Sequence, residues 1–284
     1  MELKRLVSVA METQGTIDKY KDTYTIVEFQ EQMQLCAYLD NINHKERTEL
    51  LLLAATDKCI EIGKRYGVAI MGYLNPIMLN QSLSGVEYLV EGFEEVEASF
   101  LESVYKRFYH LPWTIANTKR CIIRELQLSD MDALFALYED KEMTKYTEAL
   151  YPYEEELEYQ RAYINNMYRY YGYGMWLVIE KETGKVIGRA GLEHREFDGE
   201  TEVELGYLIA PEYQRKGYAT EVCQAIIDFF DSEVDMPRLN CVMDEANVAS
   251  VKLAEKLGFS YMETIVLQER KMLRFVRKQG IIKH

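Results

Sequence analysis

Residues 204–220 read Glu-Leu-Gly-Tyr-Leu-Ile-Ala-Pro-Glu-Tyr-Gln-Arg-Lys-Gly-Tyr-Ala-Thr, and no other stretch constrains the fold as far. The apolar first part is a strand, and Pro211, which has no N–H to donate, ends its ladder. Gln214 to Gly217 make a tight cationic turn through Arg215 and Lys216. A helix opens directly on Tyr218 and runs to about Asp231, with Val222, Ile226, Phe229 and Phe230 as its core face. Such a junction gathers backbone N–H groups at a helix N-terminus, where they and the helix dipole hold a phosphate. Gly217 lets the anion approach the backbone closely, and Ala219 keeps the helix start uncrowded.

Composition bounds the rest. A chain of 284 residues, 48% hydrophobic, is long for one compact domain and rich enough for ordinary cores. The formal net charge of −14 argues against a duplex nucleic-acid partner and favours cationic acceptors such as polyamines or lysine-rich peptides. Five cysteines (Cys36, Cys59, Cys121, Cys223, Cys241) form an odd set with no C-x-x-C spacing. They read as small core residues of a reducing compartment, with no metal site. No apolar run approaches the ~18 residues of a membrane span, and Met-Glu-Leu-Lys-Arg at the start lacks a signal-peptide core. The expectation is a cytoplasmic protein with no membrane partner.

Pattern divides the chain near Trp113 into residues 1–118 and 119–284, both acidic. In the first half Leu6–Ala10 is a strand candidate, and Ile26 to Leu39 reads as helix or partly strand. Leu50–Ala54 has the continuous apolar character of a buried strand. Thr56 and Asp57 cap a helix that Gly67 ends, and strands follow at Val68–Met71 and Val86–Val90. A helix from about Glu94 to Phe108 carries Val96, Phe100, Val104 and Phe108 on one face. This is a small Rossmann-like α/β accessory domain, expected to dock, dimerise or select an acceptor. It contains no G-x-G-x-x-G, P-loop or D-x-D motif. The loop after Tyr73, with Asn75, Pro76 and Asn80, reads as solvated. The half resembles remnants of a phosphatase-type domain without its catalytic residues, which implies no activity.

In the second half, strands are expected at Cys121–Glu125, Met175–Glu180, Val186–Glu193, Val203–Ile209, Arg238–Met243, Tyr261–Leu267 and Lys271–Arg277. Helices are expected from Ser129–Asp130, over about Glu154–Tyr171, from Tyr218, and from Asn247 to Gly258. Two motifs stand about 30 residues apart: Gln214-x-x-Gly217-x-Ala219, and Asn247-x-x-Ser250 leading to Glu255-Lys256-Leu257-Gly258-Phe259. In this order they resemble the pyrophosphate loop and the following helix of the GNAT acetyltransferase superfamily, in the branch similar to ribosomal-protein N-acetyltransferases. The Glu204-Leu205-Gly206-Tyr207 strand fits the same branch. The resemblance covers residues 119–284. It implies an α/β (α+β) fold with a mixed, splayed central sheet and flanking helices. It also implies direct acetyl transfer from acetyl-CoA to the primary amine of a small molecule, polyamine or peptide in a ternary complex. A catalytically silent acetyl-CoA sensor is the rival from another class.

The resemblance assigns the residues as follows. Leu208, Ile209 and Ala210 would offer main chain to the pantetheine arm as a further strand does. Backbone N–H groups from Arg215 to Thr220, including Tyr218 and Ala219, would hold the pyrophosphate after Gln214, with Arg215 and Lys216 adding charge. Glu204 is the base candidate, directly or through water, against the plainer reading of a surface glutamate. Ser250 is the group beside the thioester sulfur. Ala254 stands where many relatives carry a tyrosine acid. Asn247 both caps its helix and reaches the cofactor arm. His194 reads as part of a solvated hairpin. Tyrosines 146, 151, 153, 159, 163, 168, 170, 171 and 173, interleaved with Glu154, Glu155, Glu156 and Glu158, either attract an ammonium or close the core. A homodimer is compatible with all of this.

Overall fold

Leu50–Ala54 is buried along its whole length, which a strand tolerates only inside a sheet covered on both faces. The computed structural model places it so, and describes residues 1–9, 17–75, 78, 81–141, 143–267 and 269–279. Two compact units emerge, Met1–Leu111 and Pro112–His284.

The first unit runs β1 (Arg5–Val9), β2 (Thr25–Phe29), α1 (Gln32–Asn41), α2 (His44–Arg47), β3 (Leu50–Ala54), α3 (Asp57–Tyr66), β4 (Ala69–Tyr73), β5 (Leu89–Val90) and α4 (Ala98–Phe108). Its parallel sheet has the order β2-β1-β3-β4-β5. Leu51, Leu53 and Met71 pack on Leu101, Val104 and Tyr105 of α4. Leu50, Leu52 and Ile70 pack on Leu35 and Leu39 of α1 and Ile60 of α3. The Thr56 hydroxyl accepts the Cys59 N–H at 3.3 Å, and Gly67 closes α3 at φ 64°. The Ile26–Leu39 segment divides into a strand and a helix, and the strand expected over Val86–Val90 shrinks to Leu89–Val90. The last helix begins at Ala98 rather than Glu94. Residues 94–97 stay outside it: Glu97 is extended at φ −82° and ψ 156°, and the Tyr20 and Tyr24 hydroxyls donate to the Val96 carbonyl at 2.5 Å and the Ala98 carbonyl at 3.2 Å. Ala10, Pro76 and Asn80 lie outside the described residues.

The second unit runs β6 (Thr114–Asn117), β7 (Cys121–Arg124), α5 (Met131–Tyr138), α6 (Tyr153–Tyr163), β8 (Met175–Glu180), β9 (Val186–Phe197), β10 (Glu200–Ile209), α7 (Tyr218–Glu233), β11 (Arg238–Asp244), α8 (Val248–Lys256), β12 (Ser260–Leu267) and β13 (Arg270–Lys278). The sheet order is β12-β13-β11-β10-β9-β8-β7-β6, antiparallel throughout except between β10 and β11. The edge strand β6 was not expected. The helix expected to reach Tyr171 is α-helical only to Tyr163 and continues as π-helical turns over Ile164–Tyr171, closed by Gly172 at φ 78°.

The parallel pair decides the architecture. Strands β10 and β11 pair only at Val203–Leu239 and Glu204–Asn240, and beyond Glu204 they part. A buried ionic knot pins the closed end. The Glu202 carboxylate accepts from Arg238 Nε at 2.7 Å, Asn240 Nδ2 at 2.8 Å and Arg274 Nη2 at 3.0 Å. Arg274, only 2% exposed, also donates to Asn240 Oδ1 at 2.9 Å and lies 3.7 Å from the Phe197 ring. On the opposite face Val203, Leu205, Leu239 and Cys241 pack with Val222, Ile226 and Phe230 of α7.

Candidate active site

The open end of the splay and the loop after β10 form one continuous feature. The Ala210 N–H bonds the Ile187 carbonyl of β9 at 2.8 Å. Peptide groups alternate sides along a strand, so Leu208 also faces β9 while Tyr207 and Ile209 face the gap. This corrects one expectation: the Leu208 main chain points away from the gap, and its side chain packs with Leu137, Met143 and Ala210. The Ile209 carbonyl accepts Gln214 Nε2 at 2.9 Å, which ties the loop back to its strand.

Pro211 starts a single turn of 3-10 helix to Tyr213, and the loop through Gln214–Gly217 follows. Gly217 lies at φ 83°, in the left-handed region. The first intrahelical bond of α7 runs from the Glu221 N–H to the Gly217 carbonyl at 3.1 Å. The N–H groups of Tyr218, Ala219 and Thr220 therefore have no acceptor within the helix and present an anion site. The Tyr218 side chain itself turns inward, its hydroxyl donating to Glu180 Oε1 at 2.6 Å. Arg215 and Lys216 are exposed. A third cation, absent from the sequence reading, comes from α8: Lys256 Nζ reaches the Thr220 hydroxyl at 3.5 Å. Its signal was the Glu255-Lys256 pair of the second motif.

Glu204 is a buried residue rather than a surface glutamate. Its carboxylate pairs with Arg195 and lies near the Val242 backbone, where the β10–β11 ladder ends. Burial pushes this carboxyl above the ordinary range, with Arg195 opposing and neighbouring Glu193 adding to the rise. A carboxyl so tuned is a better proton acceptor at neutral pH than an exposed one. Tyr207 points to the other face, and sequence reasoning missed it as a site residue. Its hydroxyl lies beside Ser250 yet makes no well-formed hydrogen bond, and burial near Cys241 and Cys223 raises its pKa.

Ser250 lies in the first turn of α8, where its N–H bonds Asn247 Oδ1 at 3.2 Å, so Asn247 is the helix cap. His194 is half-buried in β9, with Nε2 2.6 Å from the Tyr173 hydroxyl, and burial holds its pKa below the ordinary value. Cys121, Cys223 and Cys241 are buried, and burial raises all three thiols, Cys121 to about 11, which leaves them poor nucleophiles. Among the described residues no group of His, Cys, Asp and Glu could hold a metal ion, and no helix is long and apolar enough to cross a membrane.

Tyr146 is half-buried, its hydroxyl donating to the Ala246 carbonyl at 3.4 Å, and the other eight tyrosines of this region separate into two sets. Tyr163, Tyr168 and Tyr173 are buried, with the Tyr168 hydroxyl donating to the Met175 carbonyl at 2.5 Å. Tyr151, Tyr153, Tyr159, Tyr170 and Tyr171 are exposed. Glu156 is buried too, accepting the Tyr151 N–H at 3.0 Å and Gln160 Nε2 at 2.6 Å. A depression of about 570 Å³ lined by Ser260, Tyr261, Met262 and Lys278 lies on the β12–β13 hairpin, away from the splay and its polar groups.

Comparison with known proteins falls on this unit. The sequence model of the acetyltransferase (GNAT) domain matches residues 120–260. YkkB of Bacillus subtilis, an uncharacterised protein, is 28% identical over 57% of this chain and 94% of its own length. A spermidine N(1)-acetyltransferase from Escherichia coli is 33% identical over 20% of this chain and 31% of its own length. The apo crystal structure of RimL, a ribosomal-protein α-N-acetyltransferase, superposes with a TM-score of 0.52 and 16% identity, covering 60% of this chain and 96% of its own.

Proposed function

Because residues 120–260 belong to the GNAT acetyltransferase family, whose members use acetyl-CoA, we propose that the second unit moves the acetyl group directly onto a primary amine. The observation that carries this reading is the coincidence of two features on one strand. The β10–β11 ladder ends at Glu204, and ten residues later the chain enters the loop that opens α7. The arm of the cofactor pairs with the Tyr207 and Ile209 peptide groups in the gap, beside Ala210. Its pyrophosphate sits on the N–H groups of Gly217–Thr220, with Arg215, Lys216 and Lys256 offsetting the repulsion of an acidic protein for an anion.

In the reaction, the neutral amine attacks the thioester carbonyl carbon, the C–S bond breaks, and the coenzyme thiolate takes up a proton. Glu204 accepts the proton of the acceptor ammonium, directly or through a water. Ser250 and Tyr207 offer hydroxyl protons to the developing thiolate as hydrogen-bond donors, a task that Ala254 cannot perform. Asn247, while capping α8, borders the cofactor arm. The acceptor is cationic before it reacts: a polyamine, another small amine or a peptide N-terminus. The exposed Tyr151, Tyr153 and Tyr159 with Glu154, Glu155 and Glu158 supply rings and carboxylates that favour an ammonium. The spermidine-acetylating relative is in line with this, although it matches over a short segment. The first unit is an accessory domain that selects the acceptor or mediates association between copies.

Release of free thiol from acetyl-CoA, followed against polyamines, small amines and peptides with free N-termini, tests the proposal. Amine-dependent thiol release with an acetylated product is expected. Tight acetyl-CoA binding without turnover on any amine would instead make the protein a sensor.

A further inference from the structure

The loop after β10 carries two residues in the left-handed region, Arg215 at φ 56° and Gly217 at φ 83°. A side-chain-bearing residue persists there only where its surroundings enforce it. The Lys216 carbonyl between these two residues is held by a residue 96 positions earlier. Arg120, at the entry to β7, donates from Nη1 to the Lys216 carbonyl at 2.9 Å. Its Nε and its own peptide N–H hold Glu221, at 2.8 and 2.7 Å. Its guanidinium stacks 3.9 Å from the Tyr218 ring, and Nη2 stands 3.6 Å from where a Cβ on Gly217 would lie. One side chain thus touches Lys216, Tyr218 and Glu221 at the helix start and borders Gly217.

We infer that Arg120 is the positioning residue of the cofactor loop. It engages the Lys216 carbonyl and the Glu221 carboxylate, so that neither opposes an anion on the N–H groups of Tyr218, Ala219 and Thr220. The charge balance at this helix end explains why the task needs a guanidinium. Burial pushes the Glu221 carboxyl up, but bonds from Thr118 and from the Arg120 N–H and guanidinium outweigh it, and the group is held below the ordinary range. Glu221 therefore stays ionised in the first turn of α7, where the negative charge of a cofactor would also sit. A planar cation with several donors neutralises that carboxylate and still has Nη1 left for the Lys216 carbonyl; a lysine ammonium lacks this fork. Arg120 acts through the loop and touches no reacting atom.

The inference rests on the reading that this loop binds acetyl-CoA, and the experiment separates the two. Acetyl-CoA affinity by calorimetry, with kcat and both KM values, is compared in the intact protein, Arg120→Ala, Arg120→Lys and the double variant Arg120→Ala with Glu221→Gln. For Arg120→Ala, Kd and KM for acetyl-CoA are expected to rise roughly tenfold or more, with kcat at saturation and amine KM nearly unchanged. Arg120→Lys falls between, and removing the Glu221 charge in the double variant recovers part of the loss. An Arg120→Ala protein, or Arg120→Lys if the alanine variant fails to fold, that keeps acetyl-CoA affinity within about twofold overturns the inference. So does a loss confined to kcat or amine KM. A wild-type protein that binds no acetyl-CoA brings down the cofactor reading itself, and this inference with it.

Discussion

At Gly217 the conformation of a single residue bears on binding. A Cβ there has room, its nearest neighbour being Arg120 Nη2 at 3.6 Å, so a side chain is opposed by the positive φ rather than by crowding. Gly217→Val is expected to leave the protein folded, at a local cost of about 1–3 kcal/mol, while weakening acetyl-CoA at least tenfold by calorimetry. Unchanged affinity in the folded variant would remove this loop as the phosphate site. Glu204 carries the proton argument. Because burial raises its carboxyl above the ordinary 4.5, it becomes a base only above that raised value. The acid limb of kcat should accordingly lie above 4.5, with the rate falling as the pH drops through it. Glu204→Gln should lower kcat roughly a hundredfold, abolish that limb and leave cofactor affinity intact. A full rate across the pH range would mean that the amine loses its proton elsewhere. Ser250→Ala and Tyr207→Phe are expected to produce smaller losses of the same kind, read as kcat at saturating acetyl-CoA.

Between elements, the splay depends on what holds its closed end. Strands β10, β11 and β13 meet there through Glu202, Asn240 and Arg274, and the gap opens two residues beyond Glu202. Arg274→Met leaves Glu202 its Arg238 and Asn240 donors but takes one cation from it and the donor from buried Asn240 Oδ1, so it should destabilise the unit by about 1–3 kcal/mol in urea unfolding. The acid behaviour follows the same contacts. Burial raises the Glu202 carboxyl, but hydrogen bonds from Arg238, Asn240 and Arg274 outweigh it, and its value in the folded state lies below the ordinary 4.5. The unfolded chain then binds the proton more tightly. This stabilisation is complete above 4.5 and is lost as the pH falls through the lowered value. Glu202→Gln should flatten the acid side of the stability profile; a profile as steep as wild type would place the acid sensitivity elsewhere.

At the scale of the whole molecule, each unit has its own sheet and its own core clusters. Every residue assigned above to acetyl-CoA lies in the second. A fragment beginning at Pro112 is therefore expected to bind acetyl-CoA with the affinity of the full chain, while acceptor preference or association state changes. A folded fragment that no longer binds acetyl-CoA would show that the first unit contributes to the cofactor site, against the accessory role proposed for it.

Local chemistry was legible in the sequence wherever the chain makes its decision within a few residues. The Pro211 turn, the cap at Asn247, the stop at Gly67 and the buried run Leu50–Ala54 depend on nearest neighbours, and motif order alone pointed to the fold of the second half. What tertiary structure decided involves partners far apart in the chain. Glu204 became a buried carboxyl because β9 brings Arg195 to it and β11 ends its ladder beside it. Strand alternation turned the Leu208 peptide away from the gap and Tyr207 toward it. The helix expected from Glu94 starts only at Ala98, where the hydroxyls of two tyrosines more than 70 residues upstream reach the Val96 and Ala98 carbonyls. Arg120 reached the loop from across 96 residues. Propensity and periodicity describe a chain by its immediate neighbours, whereas burial, register and ion pairing exist only once distant segments share a surface.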